Sequence, residues 1–335
     1  MNDIRMRYPT FTVPTFRCCS ILLTFEEIED ILDKEPHIVQ VGLGELDKVQ
    51  HLVDLKTNWL FSPQDWPVMA SGFNPAFSHT DGTLLFDPKN LTMQFSDSSG
   101  ARTSMSYPAM MKMALKMDTP KIDILSLPCE ERNKAASKKK IERCNLCVKQ
   151  AVEAIRNSDC RCKFVVPLIG GQVHGTGESS CVIGITGSRR DHDDVVVEDD
   201  DKILRFLRIS NEENSPPQEM LDEIIDGLKS GNFQVFETDL PFLFAKMGLL
   251  LDKNFAIVDM KQTSMFDTNI PLRSDLDDVA VTPNCVREAA QYMRSYVHHL
   301  FRCEELAGPI LLATINLFHF KALFDSFRSS QTSSD

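Results

Sequence analysis

Four cysteines in the middle of the chain have a spacing that could bind zinc. Cys144 and Cys147 form a C-x-x-C pair, and Cys160 and Cys162 form a C-x-C pair shortly after it. Thiolates are ligands that zinc prefers. However, the first pair falls inside a predicted helix, where cysteine packs as a small apolar residue. We therefore favour packing, and a displaced metal site at these cysteines stays open as the alternative.

A second group of potential ligands, His298, His299 and Cys303, lies near the end of the chain. Adjacent residues of a helix point about 100° apart, so the two histidines cannot both face one metal ion. His299 and Cys303 are four residues apart in sequence and share a helix face, but no third ligand is near. The stretch from Ser295 to Phe320 therefore predicts a packing surface rather than a metal site.

Composition limits the class of protein. The chain has 335 residues, of which 42% are hydrophobic, and its formal net charge is −12. An acidic chain is not expected to provide the main binding surface for nucleic acid, because phosphate binding favours a basic surface. The N-terminal segment shows no signal peptide, so we expect an intracellular protein with reduced thiols. We expect no transmembrane segment, since the apolar run from Leu306 to Phe318 is too short for one.

Strand-like and helix-like segments alternate through the middle of the chain, as in parallel β/α units. The pattern predicts strands over 121–128, 162–171, 181–187, 203–209 and 233–241, a hairpin over 87–105, and helices over 138–157, 216–231, 283–302 and 304–328. For a chain of this length, a TIM-type (β/α)8 barrel is the leading architecture, and a doubly wound open sheet is second. We predict a barrel over 1–282, a C-terminal helical segment over 283–328 packed on it, and a disordered tail over 329–335.

The closing stretch resembles the end of the tRNA-guanine transglycosylase family. The family pattern, roughly R-x-Y-[IL]-x-H-L-x-x-x-x-E-L-x-x-x-x-L-L-x-x-H-N, matches at Arg294, Tyr296, His299, Leu300, Glu305, Leu306, Leu311, Leu312 and Asn316. The run "FQVFETDLPFLFAKMG" at 233–248 is similar to the family strand that carries the catalytic aspartate. The resemblance implies a TIM-type barrel with a zinc subdomain, and enzymes that exchange a guanine in a tRNA anticodon for a modified base.

The catalytic positions that the resemblance implies are altered in this chain. Glu237 stands at the position of the family's nucleophilic aspartate, and Cys129 at that of the aspartate that reads the base. Phe242 and Leu243 replace the Thr-Arg that follows the proline, and the D-S-G-G-F-Q motif with the acid/base aspartate is missing. An extra methylene moves a carboxylate by about an ångström, which can cost ~100-fold in a preset site. Together these changes predict an inactive site.

The zinc ligands of the family are also replaced. The positions that correspond to the C-x-C-x-x-C motif and the later histidine hold Asn284, Val286, Ala289 and Ile315. We therefore expect no metal and no cofactor in this chain, and zinc only in a catalytic partner. Val286, Ala289 and Ile315 are expected to form an apolar plug, since a single leftover buried ligand would be unpaired.

The pattern of losses is similar to the accessory branch of the family. It implies a non-catalytic subunit that forms a heterodimer with a catalytic homologue, contacts tRNA through the complex, and supports exchange of guanine for queuine at the wobble position. The expected interface residues are Tyr296, His298, His299, Leu300, Glu305, Leu306 and Asn316. The resemblance also implies a cytoplasmic location, with peripheral association at the mitochondrial outer membrane. Two alternatives stay open: an active transglycosylase or nucleosidase that uses Glu237, and a scaffold with an unrelated role.

Overall fold

The structure of the chain is a computed structural model that divides into two compact units. The first comprises Met1–Thr15, His37–Ser215 and Glu223–Thr238, and the second Phe16–Pro36, Pro216–Asp222 and Asp239–Asp335. Within these ranges, the structure describes residues 6–14, 22–42, 66–71, 84–87, 92–96, 102–106, 123–126, 163–168, 182–187, 203–209, 216–266, 269–272 and 282–332, with single residues at 142, 146, 149, 153, 189 and 192.

Eight parallel strands of the first unit close into a barrel. In chain order, the barrel strands and the three strands of a separate sheet are β1 (Thr10–Pro14), β2 (Ile38–Gly42), β3 (Val68–Ser71), β4 (Leu84–Asp87), β5 (Thr92–Ser96), β6 (Arg102–Ser106), β7 (Ile124–Ser126), β8 (Lys163–Pro167), β9 (Val182–Gly187), β10 (Leu204–Arg208) and β11 (Val235–Glu237). Around the barrel the order is β1-β11-β10-β9-β8-β7-β3-β2, while β4, β5 and β6 form a separate antiparallel sheet. The predicted TIM-type barrel is confirmed, and so is the hairpin predicted over 87–105.

The barrel forms because its strands are apolar on both faces, as parallel strands require. A cluster of buried side chains, one from each of seven strands, fills the inside: Ile38, Met69, Ile124, Val165, Ile183, Phe206 and Val235. Gly184 makes room for the largest of them, since a Cβ atom at this position would lie 2.6 Å from the Phe206 ring. This apolar layer supports the polar residues that follow it along each strand.

The second unit is mostly helical. Its elements include α1 (Phe25–Ile31), α3 (Leu240–Met247), the antiparallel pair β12 (Leu249–Leu251) and β13 (Ile257–Asp259), α4 (Asn284–Ala290), α5 (Arg294–Arg302) and α6 (Ala307–Thr332). Helix α2 (Pro217–Ser230) contributes residues to both units. At the start of α1, Thr24 and Glu27 form a reciprocal capping box that pairs backbone N–H groups of the first turn.

Three boundaries differ from the sequence prediction. The helix predicted over 283–302 is two helices, because Met293 pairs with Pro271 in an isolated bridge that interrupts it. The strand predicted over 233–241 ends at Glu237, because the next helix begins at Leu240 and Pro241 in its first turn has a backbone angle that suits a helix start. The last helix continues to Thr332, so the first four residues of the predicted tail, 329–332, are helical.

Helix α6 is long and apolar enough, by length and composition alone, to cross a membrane over Ala307–Ser330. Most of that segment is buried inside the protein. Leu312, Ala313, Ile315, Leu317, Phe320, Leu323 and Phe324 all have exposed fractions of 2% or less. The burial agrees with the prediction of a core helix. The apolar segment, Ala307–Ser330, is longer than the run from Leu306 to Phe318 that was expected from the sequence.

Candidate functional site at the carboxyl end of the barrel

A layer of polar side chains follows the apolar layer inside the barrel. Side chains of a strand alternate between its two faces, so a residue two positions beyond an inward apolar residue also points inward. Gln40, Ser126, Arg208 and Glu237 each stand two residues after a member of the apolar cluster. With Thr12 and Thr186, which hydrogen-bond to them, they form what we call the polar layer. All six are buried.

Glu237 contacts two other members of the polar layer, through one hydrogen bond and one ion pair. It is the last residue of β11 and lies in register with Arg208, the last residue of β10. Thr186 on β9 donates a hydrogen bond from Oγ1 to Glu237 Oε1 at 2.7 Å. The other carboxylate oxygen, Oε2, lies 3.7 Å from Arg208 Nε. Glu237 is 0% exposed and Arg208 7% exposed, so this is a buried ion pair.

This arrangement limits what Glu237 can do chemically. A carboxylate nucleophile needs one oxygen that can approach the reacting carbon. Here one oxygen accepts a hydrogen bond and the other faces a guanidinium, which offsets its negative charge. The carboxylate is therefore engaged within the protein, at the end of the barrel where TIM-barrel enzymes place their reacting groups.

Two further contacts complete the described part of the polar layer. Thr12 donates from Oγ1 to Gln40 Oε1 at 2.8 Å and accepts from the backbone N–H of Thr238 at 3.2 Å. Ser126 is fully buried, and its hydroxyl has no hydrogen-bond partner among the residues that the structure describes. Cys129, predicted at the base-reading position three residues after Ser126, lies outside the described residues.

Asp239 is a second unusual carboxyl group, in the second unit. It is 5% exposed and precedes α3, but its side chain makes no capping hydrogen bond. Burial raises its pKa from 3.8 to about 6, and the positive charge of Lys246 offsets part of that rise. The charged form of Asp239 is therefore disfavoured in the folded protein.

The positions of the family zinc ligands lie in α4 and α6. Val286, Ala289 and Ile315 are buried, as expected of an apolar plug, while Asn284 is exposed at the start of α4. Next to them, burial and the negative charge of Glu27 raise the pKa of the Cys285 thiol to about 11. In the part of the chain that the structure describes, no group of three or more histidine, cysteine or acidic side chains is placed to hold a metal ion. Cys144, Cys147, Cys160 and Cys162 lie outside that part.

Three residues predicted for the interface are buried inside the second unit, and we remove them from it. His298 lies 2.8 Å from the carbonyl oxygen of Met260 through Nδ1, and Leu300 is also buried. Asn316 is 0% exposed and contacts three backbone groups. It donates from Nδ2 to Leu249 O at 2.9 Å and to Pro241 O at 3.3 Å, and accepts from Leu251 N–H at 2.7 Å. Since these contacts use its whole amide, Asn316 holds the unit together.

The other four predicted interface residues, Tyr296, His299, Glu305 and Leu306, are exposed. Tyr296 stacks on Tyr292, with ring centroids 5.4 Å apart. Three more exposed apolar residues lie on or next to α5: Met293 precedes the helix, Ile270 bonds to its first residue, and the Phe266 ring lies 6.4 Å from the ring of His298. We call the group the α5 surface: Phe266, Ile270, Tyr292, Met293 and Tyr296. The backbone connects it, because Arg294 N–H donates to Ile270 O at 2.8 Å.

The similarity of this chain to known proteins lies mainly in its second unit. A family model described as queuine tRNA-ribosyltransferase matches residues 222–332. The C-terminal third of the chain is therefore similar to this family. The matched segment contains Glu237 and all of the α5 surface, so the family resemblance predicted from the closing stretch is confirmed there.

Individual relatives carry two kinds of name. A protein from Drosophila melanogaster named queuine tRNA-ribosyltransferase accessory subunit 2 is 30% identical over 97 residues, which is 29% of this chain and 23% of the relative. One of the same name from Drosophila persimilis is 50% identical over 48 residues, 14% of this chain and 12% of the relative. A queuine tRNA-ribosyltransferase-like protein from Plasmodium falciparum is 25% identical over 150 residues, 37% of this chain and 58% of the relative. The aligned stretches thus span less than a quarter of these two accessory subunits.

Proposed function

We propose that this chain is a non-catalytic subunit of a heterodimeric queuine tRNA-ribosyltransferase. In this role it supports exchange of guanine for queuine at the wobble position of the tRNA anticodon, while a catalytic homologue performs the reaction. The observation that carries the proposal is the state of Glu237: the residue at the nucleophile position is fully buried and paired with Arg208. The names of the Drosophila relatives support the same role.

The α5 surface supports the proposed assembly. Its five side chains are between 41% and 66% exposed, and all are apolar or aromatic. Exposed apolar groups of this kind mark protein interaction sites, and tyrosine and methionine are enriched in such sites. In the proposed complex, the catalytic homologue covers this surface. Because the chain carries a net charge of −12, most contacts to tRNA phosphates are expected from the partner.

The alternative function is an active transglycosylase or nucleosidase that uses Glu237. It requires the carboxylate to leave its contacts with Thr186 and Arg208 before it could attack a ribose carbon. Breaking a buried ion pair costs on the order of 3 kcal/mol or more. The observed pairing therefore favours the non-catalytic role.

Co-expression tests the proposed assembly. The chain and a catalytic homologue from the same organism are produced together, with an affinity tag on one of them. The molar mass of the purified material is then measured by light scattering. The proposal expects a stable one-to-one complex. Separate elution of the two chains at micromolar concentration would favour a scaffold with an unrelated role.

We also propose a cytoplasmic location with peripheral association at the mitochondrial outer membrane, from the family resemblance alone. Fractionation of cells that express the chain, followed by a carbonate wash of the membranes, tests it. A peripheral protein is released by the wash. A chain that stays in the membrane pellet would instead be inserted through α6.

A further inference from the structure

Arg208 holds a position beside Glu237 that a cationic ligand would otherwise take. Its Nε lies 3.7 Å from Glu237 Oε2, and the two residues are in register on adjacent strands. Guanidinium and carboxylate groups match in charge and in planar shape, so this pairing is the one that a bound guanidinium-like ligand would also use. The mouth of the barrel thus contains its own counter-ion.

The rest of the site is arranged around that pairing. Glu237 is fully buried, and Thr186 fixes its other oxygen with a hydrogen bond of 2.7 Å. Arg208 is also buried, with an exposed fraction of 7%, and its Nε and Nη2 atoms are shielded from solvent. Shortening Arg208 would leave a space beside Glu237 Oε2, where the guanidinium now lies. A buried carboxylate without a partner is unfavourable, and either a proton or a bound cation stabilises it.

We propose that Arg208 is a built-in occupant of the barrel mouth that excludes external ligands from Glu237. The same arrangement makes the mouth a latent site for guanidinium-like cations, which becomes available when Arg208 is shortened. This inference concerns the barrel of the isolated chain. It depends neither on the proposed partner nor on tRNA, so it can fail or succeed independently of the proposed function.

The experiment measures the melting temperature of Arg208→Ala and of the natural chain, with added guanidinium chloride, methylguanidinium chloride or sodium chloride. Millimolar concentrations are used, far below the molar range in which guanidinium unfolds proteins. Without additive, Arg208→Ala melts at a lower temperature than the natural chain. Because a ligand that binds only the folded state stabilises it, the two guanidinium salts are expected to raise the melting temperature of Arg208→Ala in a saturable way. Sodium chloride should not raise the melting temperature of Arg208→Ala. None of the three salts should raise the melting temperature of the natural chain.

Two controls locate the effect. Arg189→Ala removes an arginine whose ion pair with Asp226 is exposed, and it should show no rise with guanidinium. The double variant Arg208→Ala with Glu237→Gln keeps the space left by Arg208 but lacks the carboxylate. Its melting temperature should therefore not rise with guanidinium. A rise of equal size in the double variant, or no rise in Arg208→Ala, would overturn the proposal. If Arg208→Ala does not fold, Arg208→Leu, which keeps the packing of the apolar stem, takes its place with the same expected results.

Discussion

Arg208 and Glu237 end neighbouring strands of the barrel in register, and their side chains meet in a buried ion pair with Nε 3.7 Å from Oε2. The carboxylate that the family resemblance assigns to nucleophilic attack is therefore neutralised by a residue of the same chain. In the proposed non-catalytic role, this pairing keeps the carboxylate at the reactive end of the barrel from attacking a substrate.

The stability of the pair provides the first prediction. Glu237→Gln removes the negative partner and leaves the Arg208 guanidinium buried without its counter-ion, which is expected to lower the free energy of unfolding by roughly 3–5 kcal/mol. Urea unfolding measures the loss. The matched control is Asp226→Asn, which breaks an exposed ion pair to Arg189 of 2.9 Å and should cost less than about 1 kcal/mol. Equal losses in free energy of unfolding for the two variants would show that the buried pair contributes no more to stability than the exposed pair.

Arg208 itself could have been predicted from the sequence. Phe206 stands in an apolar strand, and alternation places Arg208 on the same inward face at the carboxyl end of that strand. An arginine and a glutamate that end two consecutive barrel strands are expected to meet. The family motif identifies Glu237 but not Arg208, which follows only from the alternation in the strand before it.

Asn316 provides the second prediction. Asn316→Leu leaves the backbone N–H of Leu251 and the carbonyls of Leu249 and Pro241 without the contacts that the amide makes. Each buried polar group left unpaired costs about 1–3 kcal/mol, so the variant is expected to lose at least ~3 kcal/mol or to unfold. Thermal unfolding of the isolated chain measures the effect.

Thr314→Val is the control for Asn316→Leu, because Thr314 lies in the same helix and is also buried. Its hydroxyl donates a hydrogen bond to the Ile310 carbonyl one turn earlier, at 3.0 Å. It should cost about 1 kcal/mol or less. If the two variants were equally stable, Asn316 would not be the residue that joins α3, β12 and α6.

The burial of His298 and Asn316 could not be predicted from the closing stretch alone. Both are polar, and polar residues on a helix are more often exposed. They contact the carbonyl of Met260 and the N–H of Leu251, which are distant in sequence. Only the tertiary structure brings these backbone groups close to the helices. The same holds for Ile270, which joins the α5 surface through a backbone bridge across 24 residues to Arg294.

Asp239 provides a prediction for the dependence of stability on pH. The folded protein raises the pKa of this carboxyl group from 3.8 to about 6, so the folded state holds the proton more tightly than the unfolded state. The carboxylate therefore lowers stability above pH 6, and this cost disappears as the pH falls to about 4. Asp239→Asn is expected to be more stable than the natural chain by about 2–3 kcal/mol at neutral pH and equally stable near pH 4. A difference that does not change with pH would show that the ionisation of Asp239 is not the cause.

The α5 surface provides a prediction for assembly. Met293→Glu and Tyr296→Glu place charges on a surface that the proposed complex buries, and each is expected to weaken binding to the catalytic homologue at least tenfold. Both side chains are more than 40% exposed, so the folded chain itself should keep its melting temperature. Lys229→Glu, a charge reversal at an exposed residue of α2, is the control and should bind as the natural chain does. Undiminished binding of both α5 variants would place the interface elsewhere.

Whether Glu237 reacts is tested by the exchange of labelled guanine into tRNA by the purified chain alone, by the catalytic homologue alone, and by the two together. Because Glu237 is paired with Arg208, we expect no exchange by this chain alone, exchange by the pair, and an unchanged rate per complex when the pair contains Glu237→Gln. Exchange by the isolated chain that is abolished by Glu237→Gln would contradict this expectation, because Glu237 would then be a working nucleophile despite its pairing with Arg208.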